Sequence, residues 1–445
     1  MNKFLLTIVS PFILSSLFAQ TYCGSSRYTD TVFSAVTTTS NVVYGSNLDL
    51  NGNAVSLQMD IYQPTGDVAT IRPLIIFAHG GSFIGGDKTN ADEVAFATAF
   101  AKRGYVTASI NYRLGMGFPI NQTGAMSAVW RAVQDMKAAV RFFRKDAATT
   151  NTYKIDPDYV FIGGYSAGAF MAIHYAYLNN PNDIPSAIDT VALGGMQGNS
   201  GNPGYCTNVN GIISFSGAIG DTCWIRPGVV PMVSAQGNND NTVPYCSNML
   251  SVSGFPIMDV HGSGTMNIRF NHLGIYNPFH TYYGEDHCAP IGTCAGAAAN
   301  IDTSIALASK FVYHQLGCTS TSTFYTNTPH CLTNLTNTTS SCGSISYTPA
   351  PCVTNNGVNE IVLSNENVSL YPNPASENIT LTMKEVKGNK FSGEIHDITG
   401  RVVSRFNFSD KTYLIKRNEV QSGIYFLKIT SDANEVFVSK ILFAE

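Results

Sequence analysis

Between residues 30 and 317, short apolar or alternating runs take turns with longer stretches whose apolar residues recur every three to four positions. Strands alternating with helices in this way build a mainly parallel sheet covered by helices. Residues 57–62 alternate like a half-buried strand and stop short of Pro64. Residues 73–78 form an unbroken apolar run, as a central strand buried on both faces requires. A helix is expected over 92–102 and the next strand over 106–111. Along 128–145, Val129, Ala132, Val133, Met136, Ala139, Val140 and Phe143 recur at helical spacing. Residues 159–163 predict a short strand, followed by a glycine-rich turn and a helix over 167–178. Further strands are expected at 211–216, 230–235 and 279–283, and a last helix over 302–316 that ends at Gly317.

From 318 to about 360 the helical periodicity disappears, and Thr, Ser, Asn and Pro surround Cys318, Cys331, Cys342 and Cys352. This composition reads as a linker. Residues 361–445 return to short alternating strands, such as 378–383 and 423–429, which predict a small all-β sandwich. At the other end, Lys3 precedes an apolar stretch that is short for a membrane span, and Ala19-Gln20 offers a cleavage point. The expected organisation is a signal peptide at 1–20, an α/β domain at 21–317, the linker at 318–360 and a β-domain at 361–445. No later segment is long and apolar enough to cross a bilayer.

Composition fits export. Ten cysteines include no C-x-x-C pair and no zinc-like His/Cys spacing, so they are expected to be disulfide staples, and no metal is expected. Cys246 and Cys288 each follow a candidate active-site loop, so a bridge between them is one expectation, with Cys288 to Cys294 as its competitor. Charged residues make up only 13% of the chain and the formal net charge is -4, which gives no electrostatic reason to expect a nucleic-acid partner.

One pentapeptide carries the chemistry. Gly164-Tyr165-Ser166-Ala167-Gly168 has the form G-x-S-x-G, with a predicted strand before it and a predicted helix after it. That context distinguishes an exposed nucleophile on a tight strand-to-helix turn from an ordinary turn serine. His79-Gly80-Gly81-Ser82 follows the buried strand that ends at Ala78, where backbone N–H groups can face a developing oxyanion. The expected donors are the N–H groups of Gly81, Ser82 and Ala167, with His79 structural. A serine nucleophile needs a base and an orienting carboxylate, in the order Ser, acid, His for this architecture. Asp240 follows the strand at 230–235, and His287 follows the strand at 279–283, so these two are the expected partners. Asp221 and Asp259 are rivals for the acid. His261, His272 and His280 are rivals for the base, the first two in a loop-like stretch and His280 within a strand. Asp135 and Arg141 fall on a helix with an apolar opposite face and are expected to tie it to a neighbouring loop.

Together with Asp60-Ile61-Tyr62-Gln63-Pro64 and Asn111-Tyr112-Arg113-Leu114, these blocks resemble the carboxylesterase and lipase group of the α/β-hydrolase superfamily over residues 40–317. Ser82 stands where the commoner H-G-G-G pattern has its third glycine. The resemblance implies hydrolysis of carboxylic esters through an acyl-enzyme on Ser166, without a cofactor. A serine peptidase of the same fold and an inactive adhesion protein are the alternatives. The tail blocks around Leu370-Tyr371-Pro372-Asn373-Pro374, the segment 397–402, 423–427 and Lys440-Ile441-Leu442-Phe443 resemble the C-terminal sorting domain of type IX secretion substrates. That resemblance implies the type IX machinery as a partner and export to the surface or surroundings of a Gram-negative cell.

Overall fold

The computed structural model describes residues 22–293, 295–319, 331, 361–362, 367–384, 386–397, 402–417, 420–433 and 435–444. The expected signal peptide, Cys294 and most of the 318–360 linker lie outside the described residues. The chain divides into two units between residues 353 and 354.

In chain order the first unit forms β1 (Val36–Leu48), β2 (Ala54–Pro64), β3 (Arg72–Ala78), α1 (Ala91–Ala101), β4 (Val106–Ile110), α2 (Gln122–Ala148), β5 (Ile155–Tyr165), α3 (Ala167–Tyr177), β6 (Gly211–Phe215), β7 (Ala218–Ile219), β8 (Met232–Gly237), β9 (Ser247–Val252), β10 (Phe255–Gly262), α4 (Ser263–His272), β11 (Phe279–Tyr282) and α5 (Asn300–Gln315). Eight strands make the main sheet, in the order β1-β2-β4-β3-β5-β6-β8-β11. From β4 to β11 all neighbours are parallel, while β2 pairs antiparallel with β1 and β4.

The apolar run of β3 explains the layering. Side chains alternate along a strand, so Leu74, Ile76 and Ala78 join one buried cluster while Ile75 and Phe77 join the other. The first cluster takes in Met136, Ala139, Val140 and Phe143 of α2 and Met171 and Ala172 of α3. The second takes in Phe96 and Phe100 of α1 and Leu307 and Phe311 of α5. A central strand flanked by helices on both sides has no polar face, and β3 is buried from end to end.

The structure departs from expectation most clearly at β1, α2 and the stretch around His261 and His272. Strand β1 lies outside the predicted elements; its Thr- and Ser-rich edge leaves most side chains exposed, so no apolar alternation marks it. Helix α2 starts six residues earlier than 128, at Gln122, where the Asn121 side chain accepts the Gly124 N–H at 3.0 Å and caps the first turn. The stretch around His261 and His272 is not loop but the β9–β10 hairpin and α4. Strand β9 is mostly exposed, which blurs its pattern.

The second unit contains β12 (Ile361–Val362), β13 (Val368–Tyr371), β14 (Asn378–Met383), β15 (Phe391–His396), β16 (Val402–Phe408), β17 (Thr412–Lys416), β18 (Gly423–Ser431) and β19 (Glu435–Phe443). They form a five-stranded and a three-stranded sheet. Ile379 and Leu381 of the smaller sheet and Ile395, Leu427 and Ile429 of the larger one share a single core, as the expected sandwich requires.

Candidate active site

The sheet order decides where a site forms. From β3 the chain crosses to β4 on one side and then returns to β5 on the other. Loops leaving β3 and β5 therefore part in opposite directions and leave a crevice at the carboxyl ends of the strands. Register pairs Ala78 with Gly164, so the loop starting at His79 and the turn at Ser166 lie side by side.

Ser166 occupies that turn with φ 54° and ψ -118°, a backbone conformation that a residue with a side chain adopts only under strain. Its N–H donates to Phe215 O at 2.8 Å. The flanking glycines are a steric requirement. A Cβ on Gly164 would lie 2.3 Å from Ala78 O, and one on Gly168 would lie 1.8 Å from it.

His287 reaches Ser166 from the loop after β11. Its Nε2 lies 2.9 Å from Ser166 Oγ, and its Nδ1 lies 2.8 Å from Asp240 Oδ2. The side chain of Asp240 is wholly buried. Its Oδ1 accepts the N–H groups of Thr242 and Val243 at 2.9 and 2.8 Å, and its Oδ2 also accepts the Gln236 side-chain amide at 3.0 Å. The three residues expected from sequence are thus joined by one hydrogen-bonded chain. The rivals are used elsewhere. Asp221 accepts the Cys223 N–H and caps a short turn, His261 bonds Ser247 Oγ at 2.8 Å, His280 sits in β11, and Asp259 in β10.

The Asp240 and His287 loops are clamped together, but not by the expected Cys246–Cys288 bridge. Cys246 pairs with Cys331, across 85 residues of sequence; Cys288 is also disulfide-bonded. The clamp is made of hydrogen bonds. Asp286 Oδ1 accepts the N–H of Asn241 at 2.9 Å and of His287 at 2.7 Å, and Asn239 N–H donates to Glu285 O at 3.0 Å. These N–H donors, Asn241 first, hold the Asp286 carboxyl below the usual carboxylate range.

Two residues escape a reading of the sequence. Gln236 is a fully buried polar side chain near the end of β8, whose one other polar residue is the small Ser234, and a long amide there is the signal that could have found it. Tyr165 places its ring 5.0 Å from the His287 ring. His79 has the structural part expected of it: it is buried, stacks on Tyr112 at 4.3 Å, and burial lowers its pKa. Arg141 donates to Gly201 O and Gln197 O, and Asp135 accepts from Arg113 and Ser200, so α2 is tied to loops as expected.

Gly81, Ser82 and Phe83 take φ values of 109°, 54° and 57°, bending the loop sharply after β3. A Cβ on Gly81 would lie 2.2 Å from Gly85 O. Ala167 opens α3, so its N–H has no acceptor within the helix. Ser82, Ser166 and Ala167 line one cavity of about 90 Å³ with largely apolar walls. Among the described residues, no helix is long and apolar enough to cross a membrane.

The BD-FAE family model matches residues 59–220, and the secretion system C-terminal sorting domain model matches residues 369–444. The sorting domain marks the chain for type IX secretion to the cell surface or beyond. Gut esterase 1 of Caenorhabditis elegans is 33% identical over 98 residues, 22% of this chain and 17% of that protein. Neuroligin-like protein glit-1 of the same organism is 33% identical over 115 residues, 25% of this chain and 15% of that protein. The chain therefore spans less than a fifth of the length of these relatives. A solved structure of a truncated carbohydrate esterase from gut microbiota is 20% identical, with a TM-score of 0.43, over 65% of this chain and 98% of that one.

Proposed function

We propose that this chain, an α/β-hydrolase with a BD-FAE domain and a secretion sorting domain, is an exported serine hydrolase of carboxylic esters. The observation that carries the reading is the chain from Ser166 Oγ through His287 to the buried Asp240 carboxylate. In the proposed cycle, His287 Nε2 takes the hydroxyl proton as Ser166 Oγ attacks the acyl carbon. Asp240 holds the imidazole in the tautomer whose Nδ1–H donates to Oδ2. The backbone N–H groups of Gly81, Ser82 and Ala167 receive the oxyanion. The imidazolium then returns the proton to the departing alcohol, leaving an acyl group on Ser166, and water reverses the sequence to release the acid.

Support for the oxyanion assignment comes from Ser82 and Ala167 bordering the same cavity as Ser166. The unbroken triad favours an enzyme over an inactive adhesion protein. The test is intact-protein mass spectrometry during turnover of p-nitrophenyl butyrate. An acyl adduct on wild type that is absent from Ser166→Ala supports the reading, while equal turnover by both proteins overturns it.

A further inference from the structure

The cavity beside Ser166 follows α3 past Ala167, Phe170 and His174 to Leu178, with Trp224 and, from the β9–β10 hairpin, Leu250 and Val260 also among its walls. Among the described residues that line it, His174 is the one ionisable side chain, and both of its ring nitrogens are engaged with protein. Nδ1 bonds Phe170 O at 2.7 Å, and Nε2 accepts the Gly220 N–H at 3.3 Å. Burial lowers its pKa to about 4, so the ring is neutral. These walls therefore offer a ligand no charge.

Geometry also says which half of an ester belongs there. The departing alcohol must take its proton from His287 Nε2, so it leaves on the His287 side. Since His287 is not among the residues bordering the cavity, the group directed into it is the acyl chain. Size then sets a limit. A dry apolar cavity of about 150 Å³ accommodates benzene, roughly 25 Å³ per carbon. At about 90 Å³, this one holds about four carbons.

We propose that this cavity is the acyl site and that it selects straight aliphatic acyl groups of about four to six carbons, with Trp224 and Leu250 among the walls that set its length. This rests on the serine-hydrolase reading above. Acetyl leaves the cavity unfilled. Acyl groups of eight or more carbons, and arylpropenoyl groups, overfill it.

The test uses the full exported chain with p-nitrophenyl esters from acetate to decanoate and an arylpropenoate. kcat/KM is expected to rise about fourfold per methylene from acetate to butyrate, as burial of each CH2 predicts, and to fall at least tenfold by octanoate. Leu250→Phe should move the optimum toward acetate and Trp224→Leu toward longer chains. These ratios do not depend on how much of each variant folds. An active enzyme with a flat profile, an optimum at acetate, decanoate or the arylpropenoate, or an optimum unmoved in both variants overturns the proposal. Calorimetric titration of Ser166→Ala with methyl acetate, methyl pentanoate and methyl octanoate separates the two readings. If no ester is hydrolysed but methyl pentanoate binds best, the hydrolase reading fails and the acyl site stands. If binding ignores chain length, the acyl site fails.

Discussion

Gln236 donates its side-chain amide to the same Asp240 oxygen that accepts from His287, at 3.0 Å against 2.8 Å. The orientation of that amide is fixed by its other contacts: Oε1 accepts the Ser263 N–H at 3.0 Å, and Nε2 also reaches Val243 O at 2.9 Å. Gln236 thus anchors the Asp240 loop to β8 and to the start of α4. A hydrogen bond to a charged group contributes about 1.5–3 kcal/mol. Gln236→Leu is therefore expected to lower kcat about 10- to 100-fold with KM little changed. An equal loss through KM alone, measured on a soluble ester, would show that Gln236 does not position the acid.

On the proposed mechanism Ser166→Ala should remove nearly all turnover, because the members of a catalytic triad act as a unit. Asp240→Asn should lower kcat by about ten-thousand-fold by favouring the wrong imidazole tautomer. Steady-state kinetics beside circular dichroism checks both, with folding expected to be retained.

Glu93 in α1 is fully buried, and neither carboxylate oxygen has a hydrogen-bond partner among the described residues. Burial first, then the neighbouring Asp92 charge, pushes its pKa up to about 10 from 4.5. The native state keeps the proton while the unfolded chain releases it above pH 4.5, so stability should fall as pH rises, by at most about 1.4 kcal/mol per pH unit. Glu93→Gln should match wild type near pH 4 and exceed it by about 2–4 kcal/mol at pH 8. Urea unfolding at the two pH values measures the difference; a variant no more stable at pH 8 would contradict a buried, protonated Glu93.

Cys23 and Cys318 are bonded across 295 residues and close the hydrolase unit end to end. Loop closure of that length restricts the unfolded chain strongly, and a native bridge contributes about 2–5 kcal/mol. The double variant Cys23→Ser/Cys318→Ser should unfold at a clearly lower temperature, with kcat/KM at 25 °C little changed, as calorimetry and an ester assay would record.

Truncation after residue 355 removes the second unit and keeps all ten cysteines. Because each unit has its own apolar core, the shortened chain should hydrolyse a small soluble ester at near-normal kcat/KM. It should also stay inside the cell envelope for want of its sorting domain. Cell fractionation and an activity assay on the same shortened chain decide between an address and a substrate-binding module. Normal secretion of the truncated chain would count against the address.

Much of the site is legible in sequence because it is encoded locally. The unbroken apolar run of β3 demands cover on both faces, and Gly164 and Gly168 flank Ser166 because no side chain fits against Ala78 O. Such constraints act within a few residues, so spacing and composition display them. What spacing cannot display is the outcome of long-range competition. His287 stands 121 residues from Ser166 and Asp240 stands 47 from His287, and choosing them over His261 or Asp221 requires strand ends that only the closed sheet brings together. The Cys246 pairing goes against expectation for the same reason. Two loops that meet can be held by hydrogen bonds as well as by sulfur, and the partner of Cys246 comes from a distant segment. The cavity, its walls drawn from α2, α3 and the β9–β10 hairpin, exists only once those elements pack, since its size is the volume that packing leaves unfilled.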